Sequence, residues 1–135
     1  MTIVCNELLG RPLLKIYQDP DYFSFSLDSM LLASFVSISY KSKKIVDLCS
    51  GNAPIPLYMS LRTKAKIIGV EVQEHSFDLA NQSILENKLD NQVGMLHDNL
   101  KGIADKIGHN DCDVVTCNPP FFKVGSHNIN PKDSK

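Results

Sequence analysis

Lys44-Ile45-Val46-Asp47-Leu48-Cys49-Ser50-Gly51-Asn52-Ala53-Pro54 is the stretch on which the fold turns. Ile45, Val46 and Leu48 make a short core strand, and the small residues from Cys49 to Ala53 close it. Pro54 suits the first turn of a helix, where its missing N–H leaves nothing unpaired. Strand, small-residue loop and helix start together form a place where backbone N–H groups face a ligand. A turn of small residues lets that ligand come close to the main chain.

The same plan repeats on the C-terminal side. The helix begun at Pro54 runs through Pro56 to Leu61, and Lys66 to Glu71 reads as a second buried strand. A helix is predicted over Ser76 to Lys88, with Phe77, Leu79, Ala80, Ile84 and Leu85 inward. A third strand, Val93 to His97, ends in Asp98-Asn99, and a short helix through Ile103 to Ile107 leads to a fourth strand, Cys112 to Cys117. Alternating strands and helices are the mark of an α/β doubly wound parallel sheet. Towards the N-terminus, Leu14 to Gln18 reads as a short strand ended by Asp19-Pro20-Asp21. Ser26 caps a helix whose broad apolar face, with Leu27, Met30, Leu31, Ala33, Phe35 and Val36, is expected to pack on a sheet.

Asp113-Val114-Val115-Thr116-Cys117-Asn118-Pro119-Pro120-Phe121-Phe122 carries the chemistry. The fourth strand must stop at Asn118, because Pro119 and Pro120 bring no N–H to a ladder. An amide, a fixed carbonyl-bearing turn and the Phe121 ring are thereby grouped beyond a strand's C-terminal end, where open α/β sheets bind ligands. An exocyclic amine or a carboxamide is a poor nucleophile, its lone pair being delocalised. Two acceptors on its N–H protons, the Asn118 side-chain oxygen and the Pro119 carbonyl, would favour a more tetrahedral nitrogen aimed at an electrophile. Phe121 would stack on the planar group that bears the amine. The same residues also suit a stiff turn that merely ends a strand.

Asn118-Pro119-Pro120-Phe121 resembles the Asn-Pro-Pro-aromatic motif of class I S-adenosylmethionine-dependent amino-methyltransferases, which act on adenine N6, guanine N2 or glutamine amide nitrogen. Phe25-Ser26-Leu27-Asp28, Asp47-Leu48 and Phe122-Lys123-Val124-Gly125 bring the resemblance closest to the bacterial group that methylates N6 of adenine 37 in valine tRNA. It implies a Rossmann-like sheet with S-adenosyl-L-methionine as cofactor and catalysis at Asn118, Pro119, Pro120 and Phe121. Asp47 to Ala53 resembles the family's Asp-x-Gly-x-Gly-x-Gly motif. By that resemblance Asp47 helps hold the methionine end, Gly51 lets the backbone approach, Glu71 holds the ribose and Asp98 the adenine amine. Ser26, Cys49, Asn52, Ala53, Val72, Asn99 and Asn118 complete the implied cofactor lining. Cys49 and Ala53 stand where the family usually has glycine, which leaves open a non-catalytic remnant or interaction module. Ribosomal guanine N2 and a protein glutamine amide are the alternative substrates.

The strand ends agree with this guest. Asp47, Glu71, Asp98 and Asn118 would share one edge of a parallel sheet, and a carboxylate ending the second strand is placed to accept both ribose hydroxyls. A dinucleotide site wants G-x-G-x-x-G, whereas this turn holds only Gly51. A pyrophosphate would be repelled by Glu71 and Asp98, whereas a cationic, phosphate-free cofactor gains from them. The implied mechanism flips a tRNA base into the cleft and needs no metal and no covalent intermediate.

The composition permits this. With 135 residues, 43% apolar and 21% charged, the chain is sized for one core. No apolar run approaches the roughly 20 residues of a membrane span, and Met1 to Cys5 show no basic region leading into the apolar stretch of a secretory signal. Four cysteines show no Cys-x-x-Cys pair and no spacing matched to the histidines, so a reduced cytoplasmic protein without zinc is expected. The net charge of −1 is not that of an autonomous nucleic-acid binder. Lys41, Lys43, Lys44, Arg62, Lys64 and Lys66 cluster before two strands and are expected as a solvated face opposite the site.

The domain reading is an N-terminal strand and helix segment over 1–43, a cofactor-binding core over 44–122 and a polar substrate-side loop or tail over 123–135. The family fold has seven strands, so the chain is expected to be truncated after about the fourth. Either a longer protein, monomeric when full-length, or a truncated gene product is expected, with cofactor-site geometry but no turnover by these residues alone.

Overall fold

The computed structural model describes residues 3–8, 10–20, 27–107 and 112–118. Its centre is a four-stranded sheet of β3 (Lys44–Leu48), β4 (Lys66–Glu71), β5 (Val93–His97) and β6 (Val114–Cys117), in the order β5-β4-β3-β6. All neighbours are parallel, with Asp47 beside Gly69 on one side and Thr116 on the other. Helices α2 (Pro54–Met59), α3 (Glu74–Glu86) and α4 (Ile103–Ile107) make the crossovers, as the alternation predicts.

Period-two alternation divides the sheet between two cores. Ile45, Ile67, Val93 and Val114 face the larger one, which also takes Ile55, Leu57, Met59 and Ile84 from the helices. Val46, Ile68, Val70 and Leu96 face a smaller one closed by Ile103 and Ile107 of α4.

Several boundaries differ from expectation. The strand expected at Leu14 begins at Arg11 and is the second arm of an antiparallel hairpin, β1 (Val4–Leu8) with β2 (Arg11–Gln18). β1 escapes detection because Cys5, Asn6 and Glu7 are exposed and its apolar content is too thin to show a face. The hairpin lies against α3, and side chains of this helix and its C-cap take up backbone groups of β2: Tyr17 N–H donates to Ser83 Oγ at 2.8 Å, and the C-cap Asn87 bonds both N–H and C=O of Lys15. An edge of β2 is thus covered rather than left as a template.

α3 starts two residues earlier than expected, and Leu85 is exposed, while Ser83 takes the buried position in its place. Ser83 is favoured there because its hydroxyl serves β2. α1 (Leu27–Phe35) packs against α2 and the main core through Met30, Leu32 and Ala33 rather than lying flat on the sheet, so Leu27, Leu31 and Phe35 remain exposed. β6 is two residues shorter than expected because Asp113 accepts hydrogen bonds from Lys43 and Lys44 N–H at 2.6 and 3.0 Å. The Ser26 cap, Pro119 to Phe122 and the 123–135 tail lie outside the described residues.

Gly69 is what lets the loop after β3 settle on the sheet. A Cβ at this position would stand 2.6 Å from both Ser50 Oγ and Met95 Sδ and 3.0 Å from Ser50 Cβ. Met95 is flexible, whereas Ser50 is buried in the loop that the site depends on. Gly69→Ala is expected to cost about 1–3 kcal/mol, the usual range for overpacking. Urea unfolding checks it, and a loss below about 0.5 kcal/mol would show that the loop yields freely.

Candidate cofactor site

The C-terminal edge of the sheet gathers Asp47, Glu71, Asp98 and Asn118, as parallel topology requires. Glu71 is the hinge of the arrangement. One carboxylate oxygen accepts the Gly51 N–H at 2.8 Å and the other accepts the Gln73 N–H at 2.9 Å. The loop after β3 is thereby tied to the start of α3. Ser50 N–H adds a bond to Val70 C=O at 2.9 Å, and Ala53 N–H closes a turn on Ser50 C=O at 3.0 Å.

Three alternate turn positions are left-handed: φ is +55° at Cys49, +60° at Gly51 and +72° at Ala53, with one ordinary residue between each pair. Gly51 adopts this conformation without strain, and nothing lies within 4 Å of where its Cβ would be. That open space above the main chain is where a ligand can approach. Cys49 and Ala53 hold the same conformation with a Cβ, at a cost of about 1–2 kcal/mol each. Both therefore carry the strain that a residue other than glycine meets in this conformation. Ala53 precedes α2 without a side-chain cap.

Asp47 is fully buried. One of its oxygens accepts the Thr116 hydroxyl at 2.7 Å, and the other has no partner. Burial raises its pKa to about 7, against the pull of the Thr116 and Ser50 hydroxyls and with the help of the Glu71 charge. Ser50 Oγ, which bears on Asp47, is likewise buried and makes no hydrogen bond of good geometry. Two such oxygens beneath an open glycine fit a guest that brings N–H donors or positive charge. A cationic amino acid moiety meets that description, and a phosphate does not.

Asn118 ends β6 with its amide nitrogen donating to Ser29 Oγ of α1 at 3.3 Å, which commits the nitrogen and leaves the carbonyl oxygen to accept. Asn52 Nδ2 donates to Tyr17 C=O at 2.9 Å and fastens the end of β2 to the loop. Asp98 is engaged as well. Lys106 pairs with one of its oxygens and Asn99 N–H donates to the other at 2.8 Å, which together hold its pKa below the usual carboxylate range. An adenine amine at Asp98 would therefore share the carboxylate with Lys106. Asn99 accepts Lys101 N–H through its side chain, and Val72 is exposed beside Glu71.

Three residues of this region carried no recognised signal. Thr116 and Ser29 are small polar residues within apolar elements, and Asp19 was read only as a strand terminator. Asp19 is buried and hydrogen-bonded to His75 Nε2 at 2.9 Å, a link between the end of the hairpin and α3 that no local pattern announces. The lysine cluster does lie at the opposite edge, where Lys43, Lys44 and Lys66 border a cleft of about 570 Å³. Lys44 Nζ donates to Ile107 C=O and Lys66 Nζ to Asn91 C=O. This cleft shares no residue with the strand-end site.

The methyltransferase small domain family model matches residues 14–131. The tRNA1(Val) (adenine(37)-N6)-methyltransferase of Shewanella woodyi is 26% identical over 110 residues, which cover 78% of this chain and 44% of that protein. The chain thus spans under half the length of this relative. Among solved structures, a putative transferase from Pyrococcus horikoshii superposes with a TM-score of 0.67 at 20% identity, over 84% of this chain and 42% of that one. An RNA methyltransferase from Salinibacter ruber, in complex with S-adenosyl-L-homocysteine, gives 0.58 at 16% identity, over 70% and 59%. These likenesses confirm the Rossmann-like sheet of class I methyltransferases.

Between about pH 4 and about pH 7, folded Asp47 keeps a proton that the unfolded chain releases, so stability should fall as pH rises through this window and level off above it. Asp98 and Asp113, with lowered values, act below the window. Asp47→Asn is expected to flatten the slope of thermal midpoint against pH, and a slope that survives the change would assign it to another group. Cys49→Gly is expected to stabilise the chain by about 0.5–1 kcal/mol in urea, the relief of left-handed strain less the entropy of glycine.

Proposed function

The chain belongs to the methyltransferase small domain family, and on that premise we propose that it is the cofactor-binding part of an enzyme that methylates an exocyclic amine, adenine N6 of a tRNA. The reading is carried by one observation: Asp47, Gly51, Glu71 and Asn118 converge on the C-terminal edge of the parallel sheet, with an open main chain at Gly51 between the acids.

S-adenosyl-L-methionine, when bound, supplies an electrophilic methyl group on a sulfonium. The chain's own residues do the rest. Glu71 is already oriented by Gly51 and Gln73 N–H, and each oxygen retains capacity to accept from a ribose hydroxyl. Asp47 and Ser50, buried beneath the loop with oxygens that lack good hydrogen bonds, supply the polar ground for a cationic amino acid moiety. A positive charge there would favour the ionised form of Asp47, so cofactor uptake near neutrality releases a proton from this carboxyl. Val72, exposed after β4, offers an apolar surface to the adenine, with Asp98 and Asn99 at its rim. Asn118, held by Ser29 through its nitrogen, turns an acceptor to the target amine, joined by the Pro119 carbonyl, with Pro120 stiffening the turn and Phe121 stacking on the base. No general base is required, because the methylated nitrogen becomes acidic and loses its proton to water.

In this reading residues 44–122 are the cofactor core, 1–43 buttress it, and 123–135 lie towards the substrate. RNA is the partner class, and the matched relative is named for a tRNA substrate. Among the described residues no helix is long and apolar enough to cross a membrane. A second reading, a remnant that keeps the fold without activity, draws on the left-handed Cys49 and Ala53.

Calorimetric titration of S-adenosylhomocysteine into the chain, beside Glu71→Ala, separates them. Saturable binding that weakens about tenfold or more in the variant is expected, the loss of hydrogen bonds worth roughly 1.5–3 kcal/mol. A folded wild-type chain that shows no binding supports the remnant. In a version extended to the length of the relatives, Asn118→Ala is expected to abolish methylation of tRNA while sparing cofactor binding. Methylation of ribosomal guanine or a protein glutamine instead would redirect the substrate.

A further inference from the structure

Cys49 and Cys117 stand at the C-terminal ends of neighbouring parallel strands. Leu48 is register partner to Cys117, so Cys49 is one residue along from that pair. The strand spacing of about 4.8 Å and rise of about 3.3 Å set the two Cα atoms about 6 Å apart, inside the window for a disulfide. The Cys117 thiol is near enough to bear on that of Cys49. All four cysteines are free. Cys5 is on the outer strand of the hairpin and Cys112 precedes β6 at the opposite edge of the sheet, so neither shares this placement.

We infer that Cys49 and Cys117 form a dithiol in the cofactor cleft that a hydroperoxide converts to an intrachain disulfide, closing the site to its cofactor. The inference rests on the proposed cofactor reading for its consequence, though not for the bond itself. Cys49 belongs to the left-handed loop between Asp47 and Gly51, and Cys117 directly precedes Asn118. A bond between them joins the cofactor loop to the strand that carries the amine acceptor, and so fixes the distance across the cleft.

The roles of the two sulfurs differ. Burial, the neighbouring Cys117 and the Glu71 and Asp47 charges raise Cys49 to about 11, so it is held as a thiol at neutral pH. Cys117 is exposed and meets the oxidant first. Its thiolate attacks one peroxide oxygen, the O–O bond breaks, and a sulfenic acid forms as hydroxide or alkoxide leaves. The Cys49 sulfur then attacks the sulfenic sulfur, gives up its proton and expels hydroxide. With hydrogen peroxide the balance is two thiols and one peroxide to one disulfide and two waters.

The test treats the whole chain with hydrogen peroxide, alkylates the remaining thiols and maps peptides after cleavage at aspartates, which separates Cys112 from Cys117. A Cys49–Cys117 cross-link lighter by two hydrogens is expected, with Cys5 and Cys112 alkylated. Titration with S-adenosylhomocysteine should lose saturable binding on oxidation and regain it with dithiothreitol. Cys117→Ser should show no cross-link and should titrate alike before and after peroxide. Alkylation of both cysteines after peroxide, linkage to Cys5, Cys112 or a second chain, or unchanged binding by the cross-linked chain would each overturn the inference. A reduced chain that fails to bind the titrant counts against the cofactor reading alone, because the peptide map still decides the bond.

Discussion

The carboxylate of Glu71 holds two backbone N–H groups, one from the loop after β3 and one from the start of α3. Charge-assisted bonds of this kind are about twice as strong as neutral ones, and both are short. They fix the ends of adjacent strands relative to each other, and the open main chain at Gly51 follows from that. The same carboxylate contributes to the raised pKa of Asp47, so one side chain both shapes the cleft and sets its charge. A site built to receive positive charge is less stable empty than a neutral one would be. Asp47, buried with one oxygen orphaned, carries that cost in the present structure.

The N-terminal hairpin supports this edge from the side. Its backbone is bonded by Ser83 of α3, by Asn87 at the C-cap of that helix and by Asn52 of the loop, and buried Asp19 bonds His75. Loop, helix and hairpin therefore interlock through polar groups at one end of the sheet, whereas Leu8, Leu14 and Ile16 of the hairpin join the apolar core. Polar side chains at such positions are satisfied only when all three elements are in place, which couples the shape of the cleft to the folding of the first twenty residues.

The central sheet was legible because βαβ units advertise themselves: Ile45 and Val46, and Ile67 and Ile68, are apolar on both faces, and an acid or amide falls at or beside the end of each strand. Gly51 and the strand-end residues Asp47, Glu71, Asp98 and Asn118 fell where the pattern placed them. The hairpin was half legible, because β1 has three exposed residues in five. Leu85 and Phe35 were misread because apolar spacing reports what a helix offers, and only its neighbours decide what is covered. Asn52, expected to line the cofactor, also holds Tyr17, a role the sequence did not show, since a short amide bonds the nearest carbonyl that packing brings to it.

By itself, the sequence determined the order of strands and helices, the parallel topology that follows from it, and the edge at which acids, glycine and Asn118 must meet. These depend on local periodicity and on chain connectivity, which allows few arrangements. Only the tertiary structure decided that Asp47 is buried and poised near neutrality, that Asp98 is engaged by Lys106, that Asn118 is oriented by Ser29, and that Cys49 stands next to Cys117. Each of these depends on groups far apart in the chain, and charge, hydrogen bonding and reactivity are set by the distance between such groups in space.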